Sequence, residues 1–220
     1  MAKQERSERT LEKLTVAAAE QFALHGFVKS TLGGVSRAAG VTKGALFFHF
    51  PTKDDLADAV QKRGQDILEA MLTDLTYAEK SCLQVLVDAL HALSGMLRSD
   101  PFIKAGVRIA RERTAGSPAP MDFYPLWLDR LGQLLETARK DGELAADVPD
   151  LSARTLVTAV VCGVETLAWM GVSEDESHKW LGCLWELVLP VVASPDALPR
   201  VRTTAPTGGA SLARGRAASH

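Results

Sequence analysis

The stretch Thr31–Lys53, TLGGVSRAAGVTKGALFFHFPTK, constrains this chain more than any other. Leu32 and Val35 share one face of a short helix running to about Ala39. Gly40 follows where a helix-ending turn needs a positive φ, which glycine adopts at little cost. Thr42 suits the N-cap of a second helix, which buries Leu46 and Phe50 at i, i+4 spacing and runs to about His49. Pro51 stops it, because a proline pushes the preceding residue out of the α region. Two short helices crossing through a tight glycine turn make a helix-turn-helix. Its second helix exposes Thr42, Lys43, Gly44 and Ala45 at the end that meets base edges in DNA-binding proteins.

The flanks are helical as well. Leu14, Ala18 and Phe22 recur at i, i+4, i+8 and predict an amphipathic helix from about Thr10 to His25, ended by Gly26 and preceded by a polar, mixed-charge arm over residues 1–9. The opening Gly33-Gly34 pair costs the next helix about 1 kcal/mol per glycine, so that end is expected to fray without DNA. After Pro51 the periodicity predicts helices over Lys53–Thr76, Ser81–Arg98 and Pro101–Arg113, the last capped by Asp100 with proline at N1. Residues 114–120 (TAGSPAP) read as a loop. Three further helices are expected over Asp122–Lys140, Leu151–Met170 and from a Ser173–Glu176 capping box up to Pro190. The fold class is therefore all-α, with a three-helix head over 7–52 and a larger helical body over 53–193. Residues 194–220, rich in Ala, Pro, Gly, Ser, Thr and Arg without periodicity, are expected to be disordered.

The net charge of −2 conceals a segregation. Residues 1–53 carry +4, residues 54–193 carry −9 and residues 194–220 carry +3. Basic ends around an acidic middle fit a polyanion-binding head on a body that does not touch the polyanion; an ordinary solvated surface is the plainer alternative. Cys82, Cys162 and Cys183 lie far apart within apolar helical periods and are expected to be buried, reduced thiols; their spacing fits neither a metal site nor a disulfide framework. No cofactor is implied. The N-terminus has no signal-peptide core, and the best apolar run, Thr155–Val164, is ten residues, too short to span a bilayer. A cytoplasmic protein with no membrane partner is expected. The last two helices hold more apolar surface than a small body hides, which predicts a homodimer through them, a four-helix bundle of two pairs; a well-filled monomer core is the alternative.

The run from Ala38 to Phe50, AAGVTKGALFFHF, followed by PTKDDL and preceded by AAAEQFALHGF, resembles the head of TetR-family regulators over residues 10–60 or so. VTKGALFFHF with KDDLA is most similar to the gamma-butyrolactone autoregulator receptors of actinomycetes. The resemblance implies that Lys43 reaches bases, and that Thr31, Thr42, His49 and Lys53 hold phosphates or the groove wall. Gly44, Ala45 and Phe47 complete the DNA-binding set. Phe47 stands where the family usually carries a tyrosine whose hydroxyl meets a phosphate, and here that hydroxyl is missing. The implied partners are a palindromic double-stranded operator and a small apolar effector of gamma-butyrolactone, furan or butenolide type, with control of antibiotic biosynthesis as the implied role.

Effector candidates are Trp127, Thr158, Gln65, Leu86 and Cys162. Trp127 sits where such receptors place a pocket tryptophan; a tryptophan at helical spacing is also ordinary core. Thr158 either bonds a ligand oxygen or bonds its own i−4 carbonyl. Gln65 adjoins Gly64, where lactone receptors often carry glutamine. His25, His91 and His178 read as isolated surface or capping residues. The alternatives are a regulator answering to an antibiotic or to no ligand, and, remotely, a small helical enzyme acting on lactones. Against the enzyme, the sequence lacks a nucleophile–His–carboxylate set, metal-ligand spacing or a phosphate loop.

Overall fold

The computed structural model describes residues 2–78, 81–113 and 123–206. These form nine helices and a short 3-10 turn, Leu198–Arg200, with a single isolated antiparallel bridge between Leu144 and Ala193. The chain divides into two compact units, Met1–Ile67 with Asp100–Leu126, and Leu68–Ser99 with Trp127–His220. The divide falls inside a helix. The first unit is accordingly larger than the 7–52 head marked by the motif.

The first unit holds α1 (Ala2–His25), α2 (Leu32–Ala38), α3 (Lys43–His49), the start of α4 (Lys53–Ala78) and α6 (Pro101–Glu112). Leu14, Phe22, Val35, Leu46, Leu56 and Val60 are buried in one cluster, joined by Phe102, Ala105 and Ile109 from α6. Each large side chain so buried contributes about 1.5–3 kcal/mol. Of the polar arm expected over residues 1–9, residues 2–9 are helical and add two turns to α1. Its mixed charges have no apolar period, so the burial that marks the rest of α1 is missing there. Asp100 caps α6 through its Oδ1, which accepts from the amides of Phe102 at 2.8 Å and Ile103 at 3.1 Å. The expected loop 114–120 lies outside the described residues.

The second unit holds the rest of α4, α5 (Cys82–Ser99), most of α7 (Phe123–Lys140), α8 (Asp150–Trp169) and α9 (Glu174–Val192). The Glu143 carboxylate caps α5, accepting from the Leu83 amide at 2.8 Å, the Ser81 hydroxyl at 3.0 Å and the Cys82 amide at 3.2 Å. Pro190 lies inside α9 rather than ending it. Proline removes only its own N–H, and the Ala193 amide still reaches the Leu189 carbonyl. α8 is long and apolar enough to cross a membrane by length and composition, although the uninterrupted apolar run is short. Its inward stripe, Ala153, Val157, Val160, Val161 and Val164, is buried.

Three expectations change here. Cys162 and Cys183 are exposed and Cys82 is half-buried, because α8 and α9 turn those positions away from the core of their unit. His91 and His178 are not isolated: their Nδ1 atoms lie 2.9 Å apart, and His91 is buried. Residues 194–206 are not a free tail. The Arg202 guanidinium makes two 2.9 Å bonds to the buried Asp88 carboxylate, the Arg202 amide donates to Gln84 Oε1 at 2.7 Å, and Thr203 O lies 2.9 Å from His91 Nε2. Gln84, Asp88 and His91 share one face of α5 by their i, i+4, i+7 spacing, and strap the segment down. The remainder of the expected tail, 207–220, lies outside the described residues.

Candidate nucleic-acid interface and effector cavity

The two short helices of the first unit are fixed by matching caps. The Gly34 amide donates to Thr31 Oγ1 at 3.1 Å, and the Ala45 amide donates to Thr42 Oγ1 at 3.2 Å. Between them Gly40 takes φ +65°, the left-handed value that only glycine adopts cheaply. Behind them Val35, Leu46 and Phe50 are buried, so the outward faces of α2 and α3 are set by the core. Each capping hydroxyl accepts from its helix and keeps its own hydrogen for a further acceptor.

Thr31, Thr42, Lys43 and Gly44 are exposed, while Ala45 and His49 are half-buried. A Cβ on Gly33 would lie 3.6 Å from Lys43 Cε, so the absent side chain leaves the Lys43 stem room across the start of α2. Phe47 is 50% exposed and Phe48 is 79% exposed. Phe48 makes an edge-on contact with the His49 ring at 5.2 Å. Sequence reasoning passed over Phe48; the signal was available, since Leu46 and Phe50 already define the buried face.

Lys53 is differently placed. Its Nζ donates to the Val28 carbonyl at 3.2 Å and sits 4.3 Å above the Phe27 ring. Burial lowers its pKa from the usual lysine value, with Asp54 and Glu112 pulling the other way. Two ammonium hydrogens remain for another acceptor. The same corner is held by the last turn of α6, a set of residues the sequence did not single out. Glu112 Oε2 accepts from the Val28 amide at 2.8 Å, Arg108 donates to the Ala23 carbonyl at 2.9 Å, and Arg113 pairs with Asp58 at 2.6 Å and Asp54 at 3.1 Å.

In the second unit, Leu83, Leu86, Val87, Leu135, Val157 and Trp185 are among the residues lining an apolar cavity of about 10 Å³, room for about one water. Of the five effector candidates, Leu86 lines it. Trp127 is 4% exposed, and its Nε1 has no hydrogen-bond partner among the described residues. Trp185 Nε1 is likewise buried without one. Thr158 bonds its own i−4 carbonyl, that of Arg154, at 2.9 Å. Cys162 is exposed on α8, and Gln65 is half-buried on the α4 segment of the first unit. Trp185 was visible in the sequence only as one apolar residue of α9. Among the described residues, no group of three His, Cys, Asp or Glu side chains is placed to hold a metal ion.

Residues 14–60 match the family model described as bacterial regulatory proteins, tetR family. The HTH-type transcriptional regulator TtgW of Pseudomonas putida is 34% identical over 101 residues, 44% of this chain and 75% of that protein. The chain belongs to the TetR family. This TetR-family protein is also 28% identical to the A-factor receptor protein of Streptomyces griseus over 214 residues, 97% of this chain and 73% of that one. Among solved structures, a gamma-butyrolactone receptor described as ArpA-like superposes with a TM-score of 0.70 at 27% identity, covering 89% of this chain and 94% of that one. The TetR-family protein CprB of Streptomyces coelicolor, in complex with its operator sequence, superposes with a TM-score of 0.71 at 27% identity and the same coverage. The TetR-family protein thus resembles gamma-butyrolactone receptors along most of its length, and the matched segment contains the helix-turn-helix described above.

Proposed function

We propose that this TetR-family protein is a cytoplasmic transcriptional repressor that binds a palindromic operator as a homodimer and is released by a small apolar signal. The observation that carries the reading is the outward face of α3. It is a rigidly capped helix whose exposed end presents Thr42, Lys43 and Gly44, with Lys43 outside any ion pair among the described residues. Lys43 supplies base readout, while Thr31, Thr42, His49 and Lys53 supply phosphate contacts that fix register. The similarity to CprB, solved with its operator, supports the DNA partner. Selection from a pool of duplexes carrying random inverted repeats tests it. Enrichment of one palindrome supports the reading, and no enrichment at moderate ionic strength overturns it.

The effector is proposed to be of gamma-butyrolactone, furan or butenolide type, on the strength of the similarity to gamma-butyrolactone receptors, with antibiotic-biosynthesis genes as the targets. Trp185, which lines the cavity, and Trp127 each bury an indole N–H without a partner among the described residues, and these are the donors proposed for such a ligand's oxygen. The cavity has room for about one water, so binding requires a more open state, and release of DNA follows only if the ligand prefers that state. The small cavity also favours a second reading, a regulator answering to no ligand. Thermal shift with a panel of synthetic lactones and butenolides separates them: a raised Tm supports the receptor, and no shift with any member supports the second.

A further inference from the structure

We infer that α1 carries a second DNA-contacting surface, a basic ridge of Arg6, Arg9 and Lys13 that tracks the phosphate backbone beside the helix-turn-helix. The inference rests on the DNA-binding reading above and extends it to a part of the chain that motif reasoning treats as an arm. Because α1 is helical from Ala2, its first charges are arrayed by the helix period rather than scattered. At about 100° per residue, Arg6, Arg9 and Lys13 fall within a strip about 60° wide. Glu5, Glu8 and Glu12 fall within a second strip, centred about 100° away. All six side chains are exposed.

Gln21, further along the same helix, shows which strip lies toward the DNA-facing side. Its Oε1 lies 3.9 Å from where a Cβ on Gly34 would be, beside the Thr31 cap of α2. Its carbonyl accepts from the Ser30 hydroxyl at 3.2 Å. On the helix wheel Gln21 lies about 90° from the basic strip and nearly opposite the acidic one. The basic strip therefore lies on the solvent side of α1, a quarter turn from Gln21, and is nearer the side of the Thr31 cap than the acidic strip is.

The cations of this unit also sort by what they do. Lys53, Arg108 and Arg113 are tied to carbonyls and carboxylates around Phe27. Among the described residues Arg6, Arg9 and Lys13 have no ion-pair partner, although Glu5 stands at i−4 to Arg9. Like charges at i, i+3 and i, i+4 along one strip repel one another. A polyanion recovers that cost. Arg6 to Lys13 spans about 10 Å of helix axis, the axial rise of about three phosphates of one strand.

The test uses the full chain with Arg6→Gln, Arg9→Gln and Lys13→Gln combined, which removes the charges and keeps helix propensity. Binding to a labelled 30-bp duplex of random sequence is followed by anisotropy across a potassium chloride series. The slope of log K against log salt is expected to fall by about 2.7 per bound head, three contacts at about 0.9 each. The palindrome selected by the wild type should be unchanged. Glu5→Gln, Glu8→Gln and Glu12→Gln combined should leave the slope as it is. If the triple cation variant loses helix by circular dichroism, Arg9→Gln alone serves, with an expected fall of about 0.9. A wild type that binds duplex DNA and variants that match its slope overturn the ridge alone. A wild type that binds no duplex overturns the DNA-binding reading and the ridge with it.

Discussion

Lys43 and Lys53 stand in different environments, and the proposed roles of the two lysines differ accordingly. Among the described residues the Lys43 side chain makes no hydrogen bond or ion pair, so Lys43→Ala is expected to leave Tm unchanged. It should relax operator preference by about 1–3 kcal/mol where the lysine meets a guanine, as read from competition between the selected palindrome and point-mutated copies. Lys53→Ala removes a bond to the Val28 carbonyl and a cation over Phe27, the latter about 0.5–1 kcal/mol at an exposed site. Lower Tm and a uniform loss of affinity on all duplexes, with a salt slope smaller by about 1, are the expected signature. Equal Tm loss in both variants would contradict the division. The Thr42 cap and the burial of Leu46 and Phe50 were legible in the sequence because capping and i, i+4 burial are local. Cys162 and His91 were not. Whether an α8 position faces the core depends on neighbours far along the chain, and the partner of His91 is 87 positions away.

At the level of elements, the weight carried by α6 comes from long-range bonds that amphipathicity alone does not specify. Gly26 ends α1 at φ +85°, and a Cβ there would come within 2.5 Å of Glu112 Oε1. Gly26→Ala should cost about 1–2 kcal/mol from the backbone alone, and more if Glu112 gives up the Val28 amide. A urea midpoint unchanged from wild type would refute this. The strap over α5 titrates. Burial lowers the His91 pKa from its ordinary 6.5; the bond to Thr203 raises it, and His178 and Arg202 lower it further. Around it stand His178, Glu174 beside His178, Arg202, and Asp88 paired with Arg202. With the folded-state pKa below the unfolded one, the stabilising contribution is complete above about pH 6.5 and is lost as pH falls below it. The wild type should therefore lose more Tm between pH 7.5 and 5.5 than His91→Gln, whose amide does not titrate. Equal losses would show that the pair plays no part. The two extra turns of α1 and the strap escaped the sequence for one shared reason: both are polar segments without apolar period, ordered by bonds or by helix continuation rather than by burial.

For the whole molecule, the proposed homodimer would form through the outward stripes of α8 and α9. Thr155, Ala159, Cys162, Thr166 and Trp169 follow i, i+4, i+7 spacing on the exposed side of α8. Trp180, Cys183, Leu187 and Val191 follow i, i+3, i+7, i+11 spacing on the exposed side of α9. Trp169 is 81% and Leu187 76% exposed in the single chain, large apolar groups that a lone globule does not gain by presenting to water. A two-fold pairing of the stripes would cover them and set two heads at a fixed spacing, which a palindrome then reads as one site. Leu187→Arg puts a charge at the middle of that surface without disturbing the buried side of α9. The variant should sediment as a monomer at micromolar concentration and keep its Tm within a few degrees. It should bind a half-site duplex as the wild-type head does, while losing the preference for the full palindrome over the half-site. A variant that still sediments as the dimer, or a wild type already monomeric, would move the proposed interface off α8 and α9. A monomeric variant that keeps full palindrome preference would show that the two heads are coupled through the DNA instead.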